Sequence, residues 1–230
     1  MAELSVDATW RRGGFALSAA WTLPAGTRAA VMGPSGSGKS TLLDGIAGFL
    51  APRRGGVRVG GAALDGLAPG ARPLSILFQD GNLFPHLDVA RNVALGLRPD
   101  GRLDAAQAAA RDAALARVGL EGLGDRLPRD LSGGQRSRAA LARALLRARP
   151  WLLLDEPFSA LGPALRRGML DLVAETAADA GMGLLMVTHD PEDAARIAPS
   201  LVVVSDGVAH PPADTAATLA DPPPALRDYL

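Results

Sequence analysis

The stretch 33–40, "GPSGSGKS", restricts this chain more than any other, because it fits G-x-x-x-x-G-K-[ST] between a strand signal and a helix signal. The apolar run "RAAVM" (28–32) leads into it, and "STLLDGIAGFL" (40–50) follows with helical spacing. Glycines let the backbone turn tightly, so that successive N–H groups point at phosphate oxygens. Lys39 then reaches the outer phosphates, and the Ser40 hydroxyl can ligate Mg²⁺. Gly33, Pro34, Ser35, Gly36, Ser37, Gly38, Lys39, Ser40 and Thr41 are accordingly the predicted site for a nucleotide's phosphates. Lys39 is also the only lysine among 24 basic residues. Arginine serves as well on a solvated surface, but a planar guanidinium is wider than an ammonium and would crowd this loop.

The rest of the chain reads as an α/β body with a largely parallel sheet, since short apolar runs alternate with helical patterns. "GGVRVGG" (55–61) is a predicted strand with Val57 and Val59 on one face, and "PLSILFQD" (73–80) is another. From about 88 to 149 strand signals vanish, and the Ala-, Leu- and Arg-rich spacing predicts a helical insertion. Within it, 103–120 reads as a helix with Asp104 at its N-cap and Gly119 at its stop. "WLLLDEP" (151–157) and "GLLMVTHD" (183–190) return to strand, with a helix over 163–181 between them that starts on Pro163. "LVVVSDGVA" (201–209) is a predicted hairpin turning at Asp206-Gly207, and the proline-rich end (221–230) is expected to be irregular.

Two further stretches carry chemistry. "LLLDE" (152–156) ends an apolar strand in two carboxylates, at the end of a strand where α/β sheets bind ligands. Asp155 is placed to hold Mg²⁺ and Glu156 to orient or deprotonate an attacking water; alone, the pair could equally be a strand's exit to solvent. "LSGGQ" (131–135) precedes a helical run, so Ser132, Gly133, Gly134 and Gln135 form either a second anion nest or a plain helix cap.

Composition narrows the classes. Acids and bases balance at 24 each, which gives no basic footprint for nucleic acid or anionic lipid. There is no cysteine, hence no disulfide or thiolate metal site, in keeping with a reducing compartment. The N-terminus lacks an apolar signal-peptide core, and no apolar run approaches a membrane span. With hydrophobic residues at 48% but aromatics at 4%, the core must be built mainly from Ala, Leu and Val.

Taken in order, the 33–40 loop, Gln79 after an apolar strand, "LSGGQ" (131–135), "LLLDEP" (152–157) and His189 after "LLMVT" resemble the ATP-binding subunits of ABC transporters over almost the whole chain. The resemblance implies a P-loop NTPase (ABC ATPase) fold with a parallel-sheet core, an N-terminal antiparallel β subdomain and the helical insertion. It also implies a single domain over 1–230 without a C-terminal regulatory domain. It implies a dimer with two ATP molecules sandwiched head to tail, each between one chain's P-loop and the other's "LSGGQ". Gln79 would then ligate Mg²⁺ and sense the γ-phosphate, Glu156 would be the catalytic base, and His189 would contact the γ-phosphate. An adenine-stacking aromatic is expected upstream of the P-loop, at Trp10 or else Phe15. His86 and His210 match no catalytic position and are read as structural or solvated. One departure is plain: the family usually reads "SALD" after the strand carboxylates, whereas this chain has Ser159-Ala-Leu-Gly162.

The stretches 72–97, "LDEPFSALGPALR" and "LLMVTHDPEDAARIA" resemble most closely the thiamine importer ATPases of Gram-negative bacteria. That resemblance implies transmembrane permease subunits, a periplasmic thiamine-binding protein acting indirectly, and a place at the cytoplasmic face of the inner membrane. Leu83, Phe84 and Leu87 are candidate contacts to the permease, with burial in this chain's own core as the alternative. An importer for a polyamine, sulfate or iron remains open at this stage, as does a soluble ABC ATPase outside transport.

Overall fold

The computed structural model describes residues 2–79, 82–159 and 161–227. The chain opens with an antiparallel pair, β1 (Leu4–Arg12) and β2 (Phe15–Leu23), in register from Leu4 opposite Leu23 to Arg12 opposite Phe15. Alternate residues Leu4, Val6, Ala8 and Trp10 are buried, the period of two that a one-sided strand requires. β3 (Arg28–Met32) then feeds the glycine loop and α1 (Lys39–Ala47). β4 (Arg54–Val59) pairs with β1, burying Val57 and Val59 as expected, and β5 (Ala62–Ala63) flanks it. β6 (Leu74–Leu77) returns to the other half of the sheet.

The chain now leaves the sheet for three helices: α2 (Val89–Ala94), α3 (Ala105–Arg117) and α4 (Gly133–Leu146). It comes back at β7 (Trp151–Asp155), parallel to β6 and directly beside it. Among the described residues the excursion contains no strand. It buries a cluster of its own, including Val89, Val93, Leu115, Leu120, Leu131 and Ala139. The opposite face of α4, with Ala140, Leu141 and Ala144, packs into the main body. α3 starts where the sequence predicts: Asp104 Oδ1 accepts from Gln107 N at 2.8 Å, and Gln107 Oε1 accepts from Asp104 N at 3.1 Å. Such a capping box is worth about 1 kcal/mol.

α5 (Pro163–Asp179), β8 (Gly183–Val187), α6 (Pro191–Ile197) and β9 (Ser200–Ser205) complete the parallel half. The predicted hairpin joins β9 to β10 (Val208–Ala209), with positive φ at Asp206 and Gly207, the twist that suits a two-residue turn. β11 (Ala213–Asp214) pairs with β9, and α7 (Thr215–Ala220) and α8 (Pro224–Arg227) follow. α8 corrects the expectation of an irregular end for the residues described there. Pro224 begins a short turn of helix because Leu226 can be fully buried in the main core.

The strands form one sheet in the order β5-β4-β1-β2-β10-β9-β3-β8-β7-β6. β3, β6, β7, β8 and β9 are mutually parallel, and β10 joins them to the antiparallel half by pairing with both β2 and β9. The parallel strands are covered on both faces, so they read as continuous apolar runs. Trp151, Leu153, Leu185 and Val187 pack towards α1 and the antiparallel half, while Leu152, Leu154, Leu184 and Met186 pack towards the residues of α5 and α6. Among the described residues, no helix is long and apolar enough to cross a membrane.

Candidate functional site

Four strand ends place the predicted residues at one edge of the sheet. The glycine loop follows β3, Gln79 follows β6, Asp155 and Glu156 end β7, and His189 follows β8. These are the C-terminal ends of adjacent parallel strands, where the chain must turn away and backbone groups are left unpaired.

The loop after β3 is held against its neighbours so closely that only glycine fits. A Cβ on Gly33 would lie 2.1 Å from the Val204 carbonyl oxygen, and one on Gly38, at φ 108°, would lie 2.9 Å from the Phe15 ring. Lys39 folds over the loop, its Nζ donating to the carbonyls of Gly33 at 2.7 Å and Pro34 at 3.0 Å. Ser35, Gly36 and Ser40 are exposed, whereas Thr41 is nearly buried. Ser37 Oγ is buried in the loop without a hydrogen-bond partner among the described residues.

Opposite the lysine, Gln79, Ser159, Glu156 and His189 form a connected set. Gln79 Nε2 donates to Ser159 Oγ at 3.4 Å, and Ser159 Oγ donates to the Glu156 carbonyl at 3.1 Å. His189 Nδ1 lies 3.3 Å from Glu156 Oε2. Glu156 has φ 44°, a left-handed conformation that costs a non-glycine residue on the order of 1 kcal/mol and recurs at functional sites. Its N–H donates to the Val187 carbonyl at 3.1 Å, which ties the turn to β8.

The electrostatics are those of a crowded acidic cluster beside the Lys39 ammonium. Burial pushes the Asp155 carboxyl up, the Glu156 and Asp44 charges push it further, and Lys39 pulls it partly back. Burial likewise lowers Lys39, opposed by Glu156 and Asp155. No group of three or more His, Cys, Asp or Glu that could hold a metal occurs among the described residues. Mg²⁺ fits such a place all the same, because it takes one or two protein oxygens and completes its shell with phosphates and water. Asp155, the exposed Ser40 hydroxyl and Gln79 are the residues available to it, and burial with the Glu156 and Asp44 charges makes the site of Asp155 one that a cation would relieve.

The "LSGGQ" loop lies elsewhere, at the start of α4 in the helical excursion. Ser132 Oγ accepts from Gln135 N at 3.2 Å, and Gln135 Oε1 accepts from Ser132 N at 2.8 Å, so within one chain the motif is a capping box. Ser132 and Gly133 are exposed. Gly134 is buried beneath Leu165 of α5, whose Cδ2 would lie 2.5 Å from an added Cβ.

Trp10 does not take the place expected of an aromatic that stacks on a base. It has 0% exposure and is packed under α1, where a Cβ on Gly45 would meet its ring at 2.3 Å. The inward alternation of β1 places it in the core. The half-buried aromatic beside the loop is Phe15, which lines a cleft of about 600 Å³ with Pro34, Ser35, Gly36 and Ser37. The candidate permease contacts divide similarly. Leu83 packs between the main core and the helical cluster, Leu87 is half-buried, and Phe84 is 46% exposed. The buried Asn92 side chain holds that loop, accepting from Phe84 N at 2.7 Å and donating to the carbonyls of Phe84, Leu87 and Asp88. His86 lies exposed beside Phe84, and His210 is 3.1 Å from Ser205 Oγ.

Sequence reasoning missed Ser159 and Asp44 as parts of the site. Spacing alone could have suggested Ser159, three residues after Glu156, but nothing local singled out Asp44, which meets Arg12 at 2.6 Å across 32 residues. Gly162 caps α5 with no side-chain hydrogen bond, and a Cβ there would meet open space. Ala160, between Ser159 and Leu161, lies outside the described residues.

Comparison with known proteins adds to this geometry. The model of a family described as ABC transporter matches residues 18–159. A protein named thiamine import ATP-binding protein ThiQ from Cereibacter sphaeroides is 60% identical, over 96% of this chain and 95% of its own length. Proteins of the same name from Ruegeria sp. and Salmonella typhimurium are 53% and 51% identical, over 97% and 88% of this chain and 97% and 86% of theirs. Among solved structures, a dimer of the ATP-binding cassette MJ0796 in a post-hydrolysis state, bound to ADP and Pi, matches with a TM-score of 0.76. It is 29% identical, and the match covers 94% of this chain and 99% of that one.

Proposed function

The chain belongs to the ABC transporter family, and from that premise we propose that it is the ATP-hydrolysing subunit of an importer that energises thiamine uptake. The observation that carries the reading is the connected set Gln79–Ser159–Glu156–His189 facing the Lys39 loop. Relatives named for thiamine import, 50–60% identical over most of the chain, support the choice of solute. No solute pocket in the chain is needed for it, since an ATPase subunit supplies energy while partner proteins choose the cargo.

On this reading residues 33–41 wrap the phosphates of ATP, with Lys39 leaving its two carbonyl acceptors for the β- and γ-phosphate oxygens. Ser40, Gln79 and Asp155 would hold Mg²⁺, which supplies neutralisation of the charge on those oxygens. Glu156 orients and deprotonates the attacking water, and His189, beside its carboxylate, contacts the γ-phosphate. Phe15, and not Trp10, is the aromatic placed to pack on the base.

The exposed Ser132 and Gly133 serve the ATP of a second copy, so that two chains enclose two nucleotides head to tail. The dimeric state of MJ0796 supports that arrangement. The helical excursion within 88–149 is the inserted subdomain of a single ABC ATPase domain, and Phe84, exposed in the loop just before it, docks on a transmembrane permease subunit. The subunit then sits peripherally at the cytoplasmic face of the inner membrane, and a periplasmic thiamine-binding protein delivers the solute from the other side.

Glu156→Gln tests the assignment of the base. It should retain ATP binding, accumulate as an ATP-bound dimer of twice 23.6 kDa in light scattering, and lower kcat at least about 100-fold. Normal turnover by this variant would remove Glu156 from that role.

A further inference from the structure

α5 begins after the loop that follows Glu156, and α6 begins just beyond His189. Two arginine forks fasten these helices. In the first turn of α5, Arg166 Nε donates to Asp193 Oδ2 at 2.6 Å, Nη2 closes on the same oxygen, and Nη1 lies 3.2 Å from Asp190 Oδ2. Farther along, Arg196 of α6 donates through Nε and Nη2 to the two carboxylate oxygens of Asp171, at 2.7 and 2.6 Å.

The settings of the forks differ. The Arg166 and Asp193 side chains are 16% and 11% exposed, against 41% and 47% for Arg196 and Asp171. An exposed pair contributes little, whereas a half-desolvated fork holds its partners in a defined geometry. Asp190, which Arg166 grips, directly follows His189. Its backbone N–H donates to Thr188 Oγ1 at 3.1 Å, and its Oδ1 caps α6 by accepting from Glu192 N at 2.9 Å. The segment directly after His189 is thus held at Asp190 and Asp193 by one guanidinium, and the Asp190 N–H ties it back to Thr188.

The same turn of α5 touches the other end of the machinery. Leu165, next to Arg166, covers Gly134 of the "LSGGQ" loop. Gly162 gives this turn no side-chain cap, so its anchoring comes from these two neighbours.

We propose that the first turn of α5 is an intrachain link between the signature loop and the His189 segment, with Arg166 as the positioning residue that keeps His189 beside Glu156. Resting on the head-to-tail reading above, this joins the nucleotide a chain touches with its signature to the one it holds in its own P-loop. Hydrolysis of Mg·ATP by the 230-residue chain is compared for the wild type, Arg166→Gln, Arg166→Lys, Arg196→Gln and Lys39→Ala, and the His189 ring signals are followed by nitrogen-detected NMR, assignable among only three histidines.

Arg166→Gln should lower kcat about tenfold with KM for ATP within about twofold, reduce the Hill coefficient towards 1, and shift the His189 signals. Arg166→Lys, which keeps the charge without the fork, should fall between, and it carries the comparison if the glutamine variant does not fold. Arg196→Gln should stay within about twofold of wild type. The link is overturned if Arg166→Gln costs no more than Arg196→Gln, or if the His189 signals do not move. An inactive wild type, or an active Lys39→Ala, would instead overturn the ATPase reading on which the link rests.

Discussion

At the scale of single residues, the site shows where chemistry overrides habit. Lys39 is the only lysine of the chain, and its compact ammonium reaches two carbonyls of its own loop at 2.7 and 3.0 Å. Asp155 shows the cost of such a site. Its carboxyl is pushed up by burial, then by Glu156 and Asp44, so ionisation destabilises the nucleotide-free fold at every pH above that raised value. The penalty is relieved as pH falls from the raised folded value towards the ordinary carboxylate value, where the unfolded chain also takes up its proton. Asp155→Asn should therefore raise the Tm of the nucleotide-free protein at neutral pH, and the gain should shrink on acidification, while Mg²⁺-dependent hydrolysis is lost. The two tryptophan and phenylalanine candidates separate in the same way. Phe15→Ala should raise KM for ATP several-fold with little change in stability, and Trp10→Ala should cost about 3–5 kcal/mol in denaturant unfolding without a selective effect on KM. The sequence placed an aromatic near the nucleotide but chose its position from a motif. The alternating burial of β1, which sends Trp10 into the core, is visible only once the register is known.

At the scale of elements, most of the fold was legible because the signals were local. The Asp104 N-cap of α3, the Pro163 start of α5 and the Asp206-Gly207 turn all appear where the sequence puts them. The short helix α8 was not, since it depends on Leu226 finding space in the main core. The "LSGGQ" loop was read as either nest or cap, and in a single chain it is a cap. The set of Gln79, Ser159, Glu156 and His189 could be assembled from motif order, but Asp44 and the Arg166 fork join positions 27 or more residues apart. Gly162 is the element-scale departure. Its backbone, at φ −64° and ψ 155°, suits any residue, and a side chain there meets open space. Gly162→Asp should cap α5 and stabilise the chain by a few tenths of a kcal/mol in urea unfolding. It should also raise ATPase activity or its cooperativity, and unchanged kinetics in the assembled transporter would count against a role for this loop between subunits.

At the scale of the whole molecule, one sheet does two jobs. Its antiparallel half packs beneath α1 and carries Phe15 to the glycine loop, and its parallel half gathers Gln79, Asp155, Glu156 and His189 at the ends of its strands. The helical excursion leaves between β6 and β7, so its two ends join the chain at the strands that carry Gln79 and Glu156. That layout suits a subunit whose nucleotide-driven closure moves a partner in the membrane. The thiamine assignment rests on relatives, so its test belongs in cells. The direct test is uptake of labelled thiamine by the source cell deleted for this gene and complemented with wild type or Lys39→Arg. The account predicts that uptake is lost on deletion, restored by wild type and not restored by Lys39→Arg expressed at the same level. Uptake that survives the deletion, or that Lys39→Arg restores in full, would contradict it.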